Sequence, residues 1–171
     1  MERARLNAAL RPVTSDDLGA VAEIFAWYVK HTVATFEETP RGVQEWDELL
    51  GLLHDLGLPF LVAEADGQIA GYAYAGPWRR KSAYRHTVED SVFMAPDMTG
   101  RGIGRQLLSA LLSSCSAAGA RQVIAVIADS GDPASTALHK ALGFTEAGRL
   151  TQVGYKHGRW IDTVLMQRSL A

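Results

Sequence analysis

The sequence predicts a mixed α+β fold, and two observations carry that expectation. Apolar residues alternate between a period of two and a period near 3.6, in the order β-α-α-β-β-β-α-β-α-β-β, which is not a regular strand–helix alternation. In mid-chain, the stretch from Glu89 to Leu112 joins an apolar strand, a glycine-rich turn and an amphipathic helix. Several strands and a hairpin precede that turn, which sets the chain apart from a doubly wound sheet.

Residues 6–11 read as a first strand, ended by Pro12, which removes a ladder donor. Thr14-Ser15-Asp16-Asp17 is a helix-start signature, with Thr14 as the cap and acids in the first turn. Leu18, Val21, Ala22, Phe25 and Val29 carry that helix to about His31. Residues 32–42 form a loop broken by Pro40 and Gly42; a second helix over residues 43–56 puts Trp46, Leu49, Leu50 and Leu53 on one side. Residues 60–64 and 68–75 are strands joined by an Asp66-Gly67 turn and stopped by Gly76-Pro77. Residues 78–85 are basic, aromatic and aperiodic, hence a loop.

The central strand covers residues 91–95 and ends at Ala95-Pro96-Asp97, since proline also restricts the residue before it. After the glycines, Leu107, Leu108, Leu111, Leu112 and Cys115 line one helix face, and Gly119 closes the helix. Residues 122–128 form an apolar strand, 129–133 a turn and 134–142 a short helix before Gly143. Two strands, 144–149 and 151–155, then lead through His157-Gly158 into a last strand over 160–167, with Trp160 read as core.

With 171 residues, 47% hydrophobic and 21% charged, the chain is expected to form one domain over 1–171. A net charge of −2 offers no global attraction to nucleic acid or anionic lipid. The single cysteine, Cys115, excludes an intramolecular disulfide framework. Met1–Leu10 lacks the apolar core of a secretory signal, and no run approaches the ~18 apolar residues of a membrane span. A cytoplasmic protein that binds neither nucleic acid nor membrane is therefore expected. Histidines and acids show no ligand spacing, so no metal is expected.

Chemistry concentrates at the glycine turn. Gly100, Gly102 and Gly104 alternate with Arg101, Ile103 and Arg105, so bare amides and two guanidinium groups open a helix N-terminus. That arrangement suits phosphate or pyrophosphate, although a tight turn with no ligand has the same local pattern. No Lys-Ser/Thr follows as in a Walker A loop, and the spacing is not that of a dinucleotide fingerprint. The segment Thr99-Gly100-Arg101-Gly102-Ile103-Gly104 instead resembles the acyl-CoA pyrophosphate loop of GNAT acetyltransferases, with Thr99 in the place of the usual Gln or Arg. The element order is also similar to that family's. The resemblance implies a central, mixed but mostly antiparallel sheet flanked by helices. It further implies acetyl-CoA as co-substrate, held by the loop, by Arg105 and by backbone groups of Val92, Phe93 and Met94.

Three separated segments sharpen the resemblance: Gly76-Pro77-Trp78-Arg79, Tyr84-Arg85-His86-Thr87-Val88-Glu89, and the run from Gly154 to Asp162. Together they are similar to the phosphinothricin and methionine sulfoximine acetyltransferase branch. By position alone Glu89 is equally an edge-strand carboxylate in an ion pair; the branch implies that it is the general base for the α-amino group. The branch also carries histidine at His139, where it either donates to the CoA sulfur or packs against CoA. The resemblance also implies CoA contacts at Asp132, where the family's usual asparagine falls by its spacing from His139, and at Ser135. Arg79 and Arg85 can pair with an acidic head by bidentate hydrogen bonds, or belong to a solvated basic face. Phe36, Trp78, Tyr84 and Thr87 would complete the acceptor pocket. Relatives are commonly homodimers, so a homodimer acting on a small amino acid-like substrate is expected.

Overall fold

The computed structural model describes residues 4–171; the first three residues of the stretch examined for a secretory signal lie outside them. Its elements are β1 (Ala9–Pro12), α1 (Leu18–His31), α2 (Val43–Asp55), β2 (Phe60–Ala65), β3 (Gln68–Pro77), β4 (Thr87–Met94), α3 (Ile103–Ala117), β5 (Gln122–Ala128), α4 (Ala134–Ala141), β6 (Thr145–Lys156) and β7 (Arg159–Ser169). The strands form one sheet in the order β1-β2-β3-β4-β5-β7-β6. Every neighbouring pair is antiparallel except β4 and β5.

Side-chain size along the strands decides which helices cover each face. On one face Ala63, Ala73 and Ala75 leave room for α3, which brings Leu107, Leu108, Leu111, Leu112 and Cys115 down onto the sheet. Each leucine so buried contributes roughly 1.5–3 kcal/mol. On the opposite face Phe60, Val62 and Tyr72 meet α1 and α2. Trp46 is the hub there, edge-on to Phe25 at 5.3 Å and to Tyr72 at 5.4 Å between ring centroids.

Three boundaries and one core assignment among those read from the sequence change in the structure, each for a local reason. β1 starts at Ala9 because residues 6–8 bond to the far side of the molecule: Leu6 N–H donates to the Arg101 carbonyl at 3.1 Å. The Gln106 side chain then acts as a ladder partner, donating to the Leu6 carbonyl (2.8 Å) and accepting from Ala8 N–H (3.3 Å). β3 continues through Pro77, whose missing N–H falls on the β2 side, where the ladder has already ended at Phe60 opposite Tyr74. β6 is one irregular strand instead of two, with register breaks between Glu146 and Gly148 and between Leu150 and Gly154. Gln152, at φ 52°, sits in the second break and donates its N–H to Asp162 Oδ1 at 2.8 Å. Trp160 is not core: it is 63% exposed and packs on Tyr155.

The loop between α1 and α2 is tied to β6. Lys156, buried, donates from Nζ to the Thr35 carbonyl at 2.8 Å, and the Phe36 ring lies against Gly154, where any side chain would collide with it. Ahead of α1, Thr14 stands at the N-cap of a single 3-10 turn as expected, and Asp17, three residues on, reaches back to it. Asp17 Oδ2 accepts the Thr14 N–H (2.8 Å) and hydroxyl (3.1 Å), while Arg11 grips both carboxylate oxygens at 2.7 and 2.8 Å. The Arg11 hydrogen bond, opposed by burial and supported by Thr14, holds the Asp17 carboxyl at about 2. Because the folded-state value is depressed, this stabilisation is complete above the ordinary carboxylate range and disappears as pH falls through about 2. Asp17→Asn should therefore cost about 1–3 kcal/mol in urea unfolding at pH 7. The difference from the parent should close as pH approaches 2.

Candidate active site

The parallel ladder between β4 and β5 is only three pairs long, from Thr87–Gln122 to Glu89–Ile124. Beyond Glu89, β4 stays paired with β3 as far as Met94, and β5 stays paired with β7 as far as Ala128, but the two central strands no longer pair with each other. The sheet thus opens as a V with Glu89 at its vertex. Ala95 N–H donates to the Ala70 carbonyl, which fixes the phase of β4. By strand alternation the N–H and C=O of Val92 and the N–H of Met94 then face the opening. Such an edge takes an extended ligand the way it takes another strand. Phe93 does not share in this. Its backbone serves the β3 ladder opposite Tyr72, and its ring packs among Phe25, Tyr28 and Tyr72.

The glycine loop closes the wide end of the V. Gly100 and Gly102 adopt left-handed φ of 73° and 83°, and nothing lies within 4 Å of where a Cβ would stand on Gly100. Gly102 is the N-cap of α3 and offers no capping side chain, so the first-turn amides of Ile103, Gly104 and Arg105 lack one. Arg101 Nε is a buried donor with no acceptor among the described residues. Bare amides, a helix N-terminus and an unsatisfied guanidinium nitrogen fit an anion. Thr99 bonds back to the Pro96 carbonyl at 3.2 Å and joins Pro96, Trp27, Tyr28, Ser130 and Asp132 around a cavity of about 580 Å³ at this end.

Past β5, Asp132 accepts the Ala134 N–H at 2.9 Å, so its carboxylate caps α4 while lining that cavity. Ser135 is exposed and gives its carbonyl to His139 Nδ1 at 2.7 Å. A carbonyl only accepts, so that nitrogen is protonated. His139 Nε2 lies 2.8 Å from Asp90 Oδ2, with both side chains buried to 5% exposure or less. Both ring nitrogens are therefore engaged inside the protein, and neither is open towards a sulfur in the V. Burial works against charging His139, but the bond and charge of Asp90 outweigh it, and the pKa is raised.

Glu89 points to the face opposite Asp90, because neighbours on a strand alternate. Partial burial, reinforced by the Asp90 charge and opposed by Arg79, raises its carboxyl pKa. Arg79 lies 4.6 Å over the Trp78 ring. Tyr84 and Arg85 are exposed on a short 3-10 turn, where Arg85 bonds to the Ser82 carbonyl at 3.3 Å; Thr87 opens β4, and Phe36 is held at Gly154. The residues expected to receive the acceptor thus come from two loops and one strand. Sequence reading missed Tyr28, whose hydroxyl donates to the Met94 carbonyl at 2.7 Å, and Asp90. Asp90 had a signal: it is the lone acid in the inward row Val88, Asp90, Val92, Met94.

A glycine loop over the open end of a V-shaped mixed sheet defines an acyl-CoA-type fold, and known proteins share it. The Acetyltransferase (GNAT) family matches residues 21–144, and the chain belongs to that family. It is 51% identical to the phosphinothricin N-acetyltransferase of Alcaligenes faecalis, over 99% of this chain and 86% of that protein. It is 39% identical to the L-methionine sulfoximine/L-methionine sulfone acetyltransferase of Pseudomonas aeruginosa, over 96% of each. Its fold superposes with TM-score 0.93 on a GNAT superfamily phosphinothricin acetyltransferase from Sinorhizobium meliloti solved in complex with AcCoA, at 44% identity over 97% of this chain and 90% of the other. Among the described residues no helix is long and apolar enough to cross a membrane.

The two Gln106 bonds make the residues before β1 a brace for the glycine loop. Gln106→Leu removes both and should weaken CoA binding roughly three- to tenfold by titration calorimetry, the equivalent of a net hydrogen bond or so.

Proposed function

We propose that the protein is an acetyl-CoA-dependent N-acetyltransferase for the α-amino group of a small amino acid analogue of the phosphinothricin or methionine sulfoximine kind. The observation that carries this is the V between β4 and β5, with a glycine loop at its mouth and Glu89 at its vertex. The names of the most similar relatives support the choice of acceptor.

Acetyl-CoA supplies an acetyl group activated as a thioester, with a thiolate as leaving group. The amides of Ile103, Gly104 and Arg105, with Arg101 and Arg105, hold its pyrophosphate; the open edge at Val92 and Met94 holds its extended arm. Thr99, Asp132 and Ser135 border that path. Glu89 takes the proton from the acceptor's ammonium, which frees the lone pair for direct attack on the thioester; the C–S bond then breaks, and the second proton of the amine goes to the departing thiolate. Arg79, whose charge acts on Glu89, draws in the acceptor's acidic head, with Arg85 swinging from the Ser82 carbonyl to assist. Phe36, Trp78, Tyr84 and Thr87 wall the pocket.

In this reading the chain is one domain in the cytoplasm and works as a homodimer. The exposed Val153, Tyr155 and Trp160 at the end of the β6–β7 hairpin offer the apolar surface that a second copy covers.

The test is CoA release from acetyl-CoA with methionine sulfoximine, phosphinothricin and a panel of amino acids and polyamines. Rapid turnover is expected on the first two; turnover only on another amine discards this acceptor class. Glu89→Gln should lower kcat by roughly 10²–10⁴. Glu89 works deprotonated and its pKa is raised, so kcat/KM should fall on acidification at a pH above the ordinary carboxylate range. Normal turnover by Glu89→Gln at every pH would remove Glu89 as base.

A further inference from the structure

We propose that Asp90 is a positioning residue of the acetyl-transfer site: through its buried pair with His139 it fastens α4 to β4 across the V, and it does so as a compensated charge one residue from the base. The part concerning the base rests on the reading of Glu89 given above.

The geometry is specific. Asp90 is the first residue of β4 beyond the parallel ladder, and α4 follows the strand that diverges from it. The Asp90–His139 bond is thus a side-chain tie between the two arms just where backbone pairing stops. Asp90 Oδ1 is buried with no hydrogen-bond partner among the described residues, so the carboxylate depends on Nε2 of His139. His139 is oriented by the Ser135 carbonyl on one side and by the Phe144 ring, edge-on at 4.9 Å, on the other. One proton lies between Nε2 and Oδ2, and the pair as a whole is neutral.

Charge explains why that neutrality matters. The groups acting on Glu89 are Asp90 from its own strand and Arg79 from the loop after β3. The group facing the pair from α3 is the Cys115 thiol, pushed up to about 12 by burial and then by Asp90, and hence uncharged. His139 from α4 is therefore the cation that balances Asp90. Without it, an uncompensated carboxylate beside Glu89 would keep the base protonated to higher pH.

Two measurements test this. In ¹⁵N NMR of the whole protein at pH 7, the His139 ring should be doubly protonated in the parent and neutral in Asp90→Asn, which keeps the shape and a hydrogen bond. In His139→Gln, which retains a donor without charge, the acid limb of kcat/KM should move up, lowering kcat/KM roughly tenfold at a pH on that limb. Adding Asp90→Asn to His139→Gln should bring the limb back, because the charge is then gone. A neutral His139 ring at pH 7 overturns the proposal, as does a limb that stays put in His139→Gln or that the second substitution fails to restore. If His139 were instead the acid at the sulfur, kcat would fall in both His139 variants and Asp90→Asn would not rescue it. An acid limb that survives in Glu89→Gln would refute the base but leave the pair to be judged by its NMR signature.

Discussion

Backbone amides and carbonyls taken out of water need partners, and the structure turns on the place where that demand goes unmet. β4 is satisfied along one side by β3 for its whole length and along the other by β5 for only three residues. β5 diverges from it, staying with β7 from Gln122 to Ala128. The result is an interior strand with an edge. Ordinarily such an edge is a hazard that proteins cover or charge. Here it opens under a helix N-terminus whose own amides are also bare, so two sets of unsatisfied donors converge on one elongated space. The demand for partners, displaced from the protein, becomes affinity for a ligand.

Much of this was legible in the chain because its causes are local. The leucine face of α3, the Asp66-Gly67 turn and the glycine loop each announce themselves within a dozen residues. Glu89 could be placed on its strand, but not at the vertex, since the vertex depends on where β5 joins. The same limit explains the misreadings. Gly76-Pro77 looks like a stop, yet proline does no harm where the neighbouring strand has already ended. Residues 6–8 have strand-like composition, but their partners are the Arg101 carbonyl and the Gln106 side chain, about a hundred positions away. Trp160 reads as core by residue type, and only the sheet order shows it near the outer edge.

His139 is the most instructive case. Its place in the short helix suggests a group facing the ligand, and the helix does lie beside the V. What the sequence does not convey is that Asp90, forty-nine positions earlier, points to the same side of the sheet and occupies the ring's remaining nitrogen. A titratable side chain near a cleft acts through whatever holds its nitrogens, and that is a property of tertiary contacts. The tether from Lys156 to Thr35 is similar: a loop that looks free in sequence is held by a strand from the far end of the chain.

The alternation of β4 has a consequence for how the family can vary. Glu89 and Asp90 are adjacent along the chain yet serve opposite faces of the sheet, one towards α1 and α2 and the other towards α3 and α4. A single inserted or deleted residue in this strand would exchange them, sending one acid into an apolar layer and stranding the other without its histidine. Length differences between homologues should therefore gather in the loops and in the irregular β6, while β4 remains fixed in length. Divergence there can proceed only by replacing side chains, one face at a time.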